Sequence, residues 1–248
     1  MLLMIDSGNT NLKWAFAEKN QDLGNWHMQG SCKKIFLENL ENCSKKFNIK
    51  KVLISNVSGK DYEKKIMSCL VKANINPRVI NIFSSKKKYL GLNNCYENPS
   101  KLGSDRFASL IAAKHAYPKS TILVVNCGTA TTIDILGNTG KHFGGLILPG
   151  ISTMIESLSN KTANLNYIDN LKYKNLLANN TEDAIVSGCI NSQIAIIQSI
   201  FLKYKIDYCL ISGGAAKILT PFLNVLHIHI NNLVLLGLHT SLILGEKT

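Results

Sequence analysis

Apolar and polar positions fall into two blocks that open in the same way. Leu2–Ile5 is an apolar run followed by a glycine turn and a second run at Leu12–Ala17, which predicts two strands and a tight hairpin. A third strand is expected at Trp26–Gly30. Ile35, Leu37, Leu40 and Phe47 then recur at roughly helical spacing and predict a helix over Lys34–Phe47. Val52–Ser55 reads as a short buried strand, Tyr62–Ala73 as a helix and Arg78–Phe83 as a further strand. Residues 84 to 103 are polar and rich in Asn, Lys and Gly, which suits an ordered loop. A helix over Asp105–Tyr117 ends against Pro118.

The second block repeats the plan. Strands are expected at Thr121–Val125, Thr131–Leu136 and His142–Leu148, with Pro149-Gly150 introducing a helix. A long helix fits Thr181–Tyr204, where Thr181 and Asp183-Ala184 resemble a capped start. Strands at Tyr208–Ile211 and Val225–Ile230 then alternate with helices at Ala215–Leu223 and Leu233–Leu244. Three strands followed by alternating helices and strands, twice over, predict an α/β protein of two similar lobes. The expected division is 1–118 and 119–248.

The duplication reaches individual residues. Leu2 to Thr10 and Ile122 to Ala130 share one plan: apolar strand, a polar side chain (Asp6 or Asn126), one residue, glycine (Gly8 or Gly128), polar turn. Glycine lets such a turn approach an anion closely, and successive backbone N–H groups can point at phosphate oxygens. Thr10, Thr129, Thr131 and Thr132 add hydroxyls, and Lys13 adds positive charge. Two hairpins facing across a cleft would hold a polyphosphate from both sides.

Composition narrows the class. The chain has 248 residues, 46% hydrophobic and 18% charged, with core enough to exclude a disordered chain. Its seven cysteines include no C-x-x-C pair, which argues against a zinc knuckle, a redox motif or a secreted disulfide scaffold. Asp6 ends the first apolar run too early for a signal peptide, so the expected location is cytoplasmic. The uncharged stretch from Ile218 to Gly245 is interrupted by Pro221, His227, His229 and several asparagines, and no membrane span is expected there. The net charge of +12 rests on scattered lysines with few interleaved aromatics. It favours an anionic substrate without marking a specific nucleic-acid partner.

The chain has no Walker G-x-x-x-x-G-K-[ST], no dinucleotide fingerprint and no H-E-x-x-H. Outside the hairpins, the best-placed titratable group is Asp105, in Gly103-Ser104-Asp105-Arg106. An acid beside an arginine at a helix start suits proton abstraction next to an anion, and also suits a simple helix cap. His227-x-His229 lacks a placed third ligand and reads as core. Asn42, Asn56, Asn160 and Asn179 begin N-x-[ST] triplets of the kind expected by chance in an asparagine-rich chain. Cys127, inside the second hairpin, reads as a packing residue whose thiol is open to oxidation.

Taken in order, these segments resemble the type III pantothenate kinase family of the acetate kinase/Hsp70/actin-like superfamily. Asp6-Ser7-Gly8-Asn9-Thr10-Asn11-Leu12-Lys13 is similar to its first phosphate motif, and Tyr96 to Arg106, with the core G-x-D-R, to its substrate segment. Asn126 to Asp134 resembles its second phosphate motif. Gly144 to Gly150, Thr181 to Gly188 and Ser212-Gly213-Gly214 complete the set. The resemblance implies two duplicated ribonuclease H-like lobes, each a mixed sheet with flanking helices, in an actin-like ATPase architecture.

It also implies ATP-dependent phosphorylation of pantothenate to 4'-phosphopantothenate, the first step of coenzyme A biosynthesis. ATP would be bound by Asp6 to Lys13 and by Thr129, with Mg2+ accompanying it. Tyr96, Gly103, Ser104, Asp105, Arg106 and Thr181 match pantothenate-binding positions, and Asp105 matches the catalytic base. The implied assembly is a homodimer with the pocket at its seam. Two positions depart from the family: Asn126 stands where an aspartate usually ligates an activating monovalent cation (K+ or NH4+), and Ala215 where an acid is common. A non-catalytic accessory factor and a kinase for another small alcohol are the competing readings.

Overall fold

A computed structural model describes residues 1–161 and 177–245; the side chains of Asn160 and Lys161 are outside the described set. The chain divides into two units, Met1–Ala116 with Asn232–Thr248, and Tyr117–Asn231.

In the first unit, β1 (Leu2–Ser7), β2 (Asn11–Ala17), β3 (Met28–Lys33), β4 (Lys51–Asn56) and β5 (Ile80–Phe83) form one sheet in the order β3-β2-β1-β4-β5. β1, β2 and β3 pair antiparallel as a meander, and β1, β4 and β5 run parallel. Alternation along the strands sends Leu3, Ile5, Leu12, Trp14, Phe16, Val52 and Ile54 into a core beneath α1 (Glu38–Ser44) and α2 (Lys60–Lys72). α3 (Ser104–Ala116) and α7 (Leu233–Leu244) pack against each other, and α7 lies on β1.

The second unit repeats this sheet with β8 (Ile122–Cys127), β9 (Ala130–Leu136), β10 (His142–Pro149), β11 (Tyr208–Ser212) and β12 (His227–His229), in the order β10-β9-β8-β11-β12. β8 pairs antiparallel with β9 and parallel with β11, as β1 does with β2 and β4. Leu123, Val125, Cys127, Ile133 and Ile135 meet Val186, Ile190, Ile194 and Ile197 of α5 (Thr181–Lys203), with α4 (Ile151–Lys161) and α6 (Ala216–Leu219) alongside. α5 is long and apolar enough to cross a bilayer by composition, but it is a core helix, buried from Val186 to Ile200 on its inner face.

Several boundaries differ from expectation. The third strand is Met28–Lys33, because His27 N–H already closes onto Phe16 O and the pairing of β2 runs on to Lys33. The first helix shrinks to Glu38–Ser44, leaving Ile35 and Phe36 exposed. Residues 84–103 contain a two-residue hairpin, β6 (Lys88–Tyr89) with β7 (Leu92–Asn93), and a 3-10 turn at Pro99–Lys101. Asn180, not Thr181, caps α5: its side chain accepts the Asp183 N–H at 2.9 Å. Pro221 splits the expected 215–223 helix into α6 and a 3-10 turn. The last strand is only His227–His229.

The largest correction concerns α7. Its ends match the expectation, but it belongs with the first unit rather than with residues 119–231. Gly237 makes this possible, since a Cβ there would run into the Ala108 carbonyl of α3.

Candidate active site

The first site is built on β1. Asp6 lies opposite Lys13 on β2 and opposite Ser55 on β4, so the three side chains share one face of the sheet. Ser55 Oγ meets Ser104 Oγ at 2.8 Å in a buried hydrogen bond. That bond docks the first residue of α3 beside Asp6 and so sets down Asp105 close to it.

Asp6 feels the consequences. Its Oδ1 is shut off from solvent and has no hydrogen-bond partner. Burial first, and then the charge of Asp105, push its acid up to about 7, while Lys13 pulls the other way. Two carboxyls held together with an orphaned oxygen form a site that favours added positive charge.

Asp105 Oδ1 accepts the Arg106 N–H at 2.7 Å, and Ser109 Oγ donates to the Asp105 carbonyl at 2.9 Å. A Cβ on Gly103 would stand 2.6 Å from Asp105 Oδ1, so the glycine makes room for this carboxyl. Arg106 is buried, and its Nη1 donates to Tyr96 Oη at 2.7 Å with the guanidinium 5.5 Å from the ring centre. Asn94, fully buried, orients the Tyr96 segment: it accepts the Tyr96 N–H and donates to Pro99 O, both at 3.0 Å.

The hairpin between β1 and β2 exposes Asn9, Thr10 and Asn11 and is closed by Gly8 N–H to Asn11 O at 3.1 Å. Ser7 and Leu12 are buried, so of the expected nucleotide residues these two are framework. Ser104 is framework as well. Ser58, which sequence reading passed over, holds the hairpin from below: its Oγ donates to Gly8 O at 2.6 Å and accepts from Ser7 Oγ at 3.1 Å, while Val57 N–H bonds Ser7 O at 3.1 Å. A serine in an Asn-Val-Ser-Gly turn carries no sequence signal beyond that of a turn.

The second unit carries the matching hairpin. Asn126 lies opposite Thr132 on β9 and Ser212 on β11, the positions that Lys13 and Ser55 occupy around Asp6. Thr132 Oγ1 is buried without a hydrogen-bond partner. Thr129 is exposed at the tip, and its carbonyl accepts both Gly150 N–H at 2.9 Å and Thr153 Oγ1 at 2.8 Å. A Cβ on Gly150 would collide with the Gly128 carbonyl. Behind the hairpin, the fully buried Gln193 accepts from Thr131 Oγ1 at 2.7 Å and donates to Pro149 O at 2.8 Å. Thr181 stands exposed in the first turn of α5.

The remaining candidates are structural. Burial pushes the Cys127 thiol up to about 12, which makes it unreactive rather than open to oxidation. His227 Nδ1 is engaged locally with Val225 O at 2.8 Å. Among the described residues no group of three or more His, Cys, Asp or Glu is placed to hold a metal ion.

Comparison with known proteins shows the family. The family model for type III pantothenate kinase matches residues 2–203. The type III pantothenate kinase of Herminiimonas arsenicoxydans is 36% identical over 97% of this chain and 96% of its own length. That of Janthinobacterium sp. (strain Marseille) is 36% identical over the whole of both chains. Among solved structures, a conserved Campylobacter jejuni protein named for the Baf family of transcriptional activators superposes with a TM-score of 0.62 at 21% identity, covering 99% of this chain and 98% of that one. The activator of 2-hydroxyisocaproyl-CoA dehydratase from Clostridium difficile, with bound ADPNP, gives a TM-score of 0.54 at 13% identity, covering 98% and 92%. These two likenesses speak for the fold alone.

Proposed function

The chain belongs to the type III pantothenate kinase family, and from that premise we propose that it phosphorylates pantothenate at the expense of ATP with Asp105 as the base. The observation that carries the assignment of roles is the Ser55–Ser104 bond, which holds Asp105 at the Asp6 end of the sheet, next to the first hairpin.

The reaction asks little covalent chemistry of the protein. The pantothenate hydroxyl oxygen attacks the γ-phosphorus in line, the bond to the β–γ bridging oxygen breaks, and ADP leaves. Asp105 takes the hydroxyl proton as the new bond forms. Arg106, braced by Tyr96, is proposed to bind the pantothenate carboxylate through charge-assisted hydrogen bonds, with Thr181 a further substrate contact. Asn9, Thr10, Asn11 and Lys13 take the phosphates through side chains and backbone N–H groups, and Thr129 is the proposed phosphate contact of the second hairpin.

The residues present fit a hydrated divalent cation brought in with the nucleotide, because the orphaned Asp6 Oδ1 and the nearby Asp105 form an electronegative pair. Asp6 would hold it, through water. When bound, Mg2+ supplies positive charge that offsets the charge of the phosphates. Asn126 offers a neutral oxygen to a monovalent cation, where the family pattern has a full charge.

The same reading places the protein in the cytoplasm as a homodimer. Support for the dimer comes from β10, an edge strand of its sheet that leaves Phe143, Leu146 and Ile147 exposed. Light scattering at assay concentration is expected to give twice 27.4 kDa, and a fully active monomer would refute the dimer. The activity itself is tested by mixing the purified protein with ATP, magnesium and pantothenate and following 4'-phosphopantothenate by mass spectrometry. No product across a range of monovalent salts would favour an accessory binding role, and product only with a different alcohol would reassign the substrate.

A further inference from the structure

We propose that Ser58 and Thr153 are positioning residues that aim the backbone of the two phosphate hairpins, each pulling back one carbonyl so that the following N–H faces the nucleotide. The proposal rests on the reading of these hairpins as ATP-binding. It starts from a likeness between the units that sequence does not display, since the two hydroxyls sit in unrelated local contexts. Ser58 lies in the turn between β4 and α2, and Thr153 in the first turn of α4.

In the first hairpin, the Ser58 hydroxyl has one proton and several acceptors within reach. Its shortest contact is Gly8 O at 2.6 Å, against 3.1 Å to Ser7 O, and Ser7 Oγ donates back to it at 3.1 Å. Ser7 O is already engaged by Val57 N–H. The proton therefore belongs on Gly8 O. In the second hairpin, Thr129 O receives Thr153 Oγ1 at 2.8 Å together with Gly150 N–H at 2.9 Å.

The peptide bond transmits this hold. The peptide unit is planar and, with no cis bonds among the described residues, its C=O and the next N–H point in opposite directions. A Gly8 carbonyl drawn toward Ser58 turns the Asn9 N–H away from Ser58. A Thr129 carbonyl drawn toward Thr153 and Gly150 likewise turns the Ala130 N–H away from α4. In the first hairpin this peptide follows Gly8, whose missing Cβ leaves the turn free to rotate at little cost, while the second joins Thr129 to Ala130 and has no glycine of its own. The hydroxyls bias each hairpin toward one orientation before the nucleotide arrives, and donors arranged in advance need no reorganisation when the phosphates bind. Neither residue touches the phosphates in this account.

The test compares Ser58→Ala and Thr153→Val with the hydroxyl-retaining Ser58→Thr and Thr153→Ser in the full chain. ATP affinity in the presence of magnesium is measured by calorimetry, melting temperature by scanning fluorimetry, and KM separately for ATP and pantothenate. Loss of one hydroxyl is expected to weaken ATP binding about three- to tenfold and to raise KM for ATP alike. KM for pantothenate should stay near its native value, and the conservative variants should restore ATP binding. Native ATP affinity in both Ser58→Ala and Thr153→Val would overturn the proposal. So would parallel rises in both KM values with a lowered melting temperature, the mark of a loosened fold. If Ser58→Ala does not fold, Ser58→Cys keeps the size with a poorer donor and carries the same test. A native protein that binds ATP but leaves pantothenate unphosphorylated would sink the proposed function and leave this inference standing. A native protein that binds no nucleotide would sink the inference itself.

Discussion

Asp6 and Lys13 stand opposite one another across the first antiparallel hairpin, yet the lysine does not hold the acid in the ordinary carboxylate range. Burial and the Asp105 charge outweigh it and raise the acid from 3.8 to about 7. Between those two values the folded protein keeps a proton that the unfolded chain has released. The stability Asp6 contributes is therefore complete below about pH 4 and is lost as pH rises through about 7. We expect the melting temperature of the nucleotide-free protein to fall more between pH 5.5 and 8 in the native chain than in Asp6→Asn. A bound cation needs the ionised form, so affinity for ATP with magnesium should rise more over the same interval in the native chain than in the variant, the terminal phosphate of the nucleotide ionising there in both. Equal pH slopes would remove Asp6 from the account.

Asp105→Asn keeps an oxygen to accept the Arg106 N–H, so the start of α3 should survive the change. It cannot take a proton from the substrate hydroxyl. Turnover should fall about 10²–10⁴-fold with little change in melting temperature, as is typical for loss of a general base. Near-native turnover would show that the base lies elsewhere. Gly103→Ala approaches the same group from outside, since its methyl would press on Asp105 Oδ1. It should lower kcat while leaving ATP affinity close to native.

Tyr96→Phe removes the oxygen that accepts from Arg106 Nη1 at 2.7 Å. Hydrogen bonds to charged groups contribute about 1.5–3 kcal/mol, and Arg106 is too buried for water to replace the partner easily. KM for pantothenate should rise about tenfold or more, with KM for ATP unchanged. Steady-state kinetics with each substrate varied in turn separates the two. A selective rise in KM for ATP would place Arg106 on the nucleotide instead.

Gly150→Ala tests the second hairpin. The added methyl has nowhere to go but into the Gly128 carbonyl, and the Thr129 carbonyl lies beside it. The chain must shift the hairpin or the start of α4, and either movement breaks the bonds from Gly150 N–H and Thr153 Oγ1 to Thr129 O. A loss of about 1–3 kcal/mol of stability is expected, measurable by urea denaturation, together with weakened ATP binding. A native denaturation midpoint would mean the backbone has room that the packing does not show.

Asn126 bears on the proposed monovalent cation. An aspartate there would attract a cation about 4 Å away by on the order of 4 kcal/mol at an effective dielectric near 20, before desolvation offsets much of it. Asparagine removes that charge. Potassium activation should be weak in the native protein and stronger in Asn126→Asp, in a potassium chloride titration against choline chloride. Sharp activation of the native protein at low millimolar potassium would show that another ligand replaces the carboxylate.

By itself, the sequence determined most of the local structure of this protein. Strands with alternating apolar residues, glycine hairpins and the ends of α7 follow from contacts a few residues apart, and those are written in the order of the side chains. Gly103, Asp105 and Arg106 stood out as a candidate site only through the resemblance of their segment to a family motif, since their chemistry alone suits a helix cap equally well. What the tertiary structure alone decided is which distant elements meet. The apolar pattern of α7 says that it is buried, but not that Gly237 admits the backbone of α3 at Ala108 and draws the last helix to the first unit. Ser55 and Ser104, 49 residues apart, look like any other serines until the sheet and helix dock and their hydroxyls meet. Ser58 and Gln193 likewise reach their partners only across separate elements. The reason is physical: a hydroxyl or an amide forms its bonds locally or at long range with the same chemistry, and only packing selects the partner.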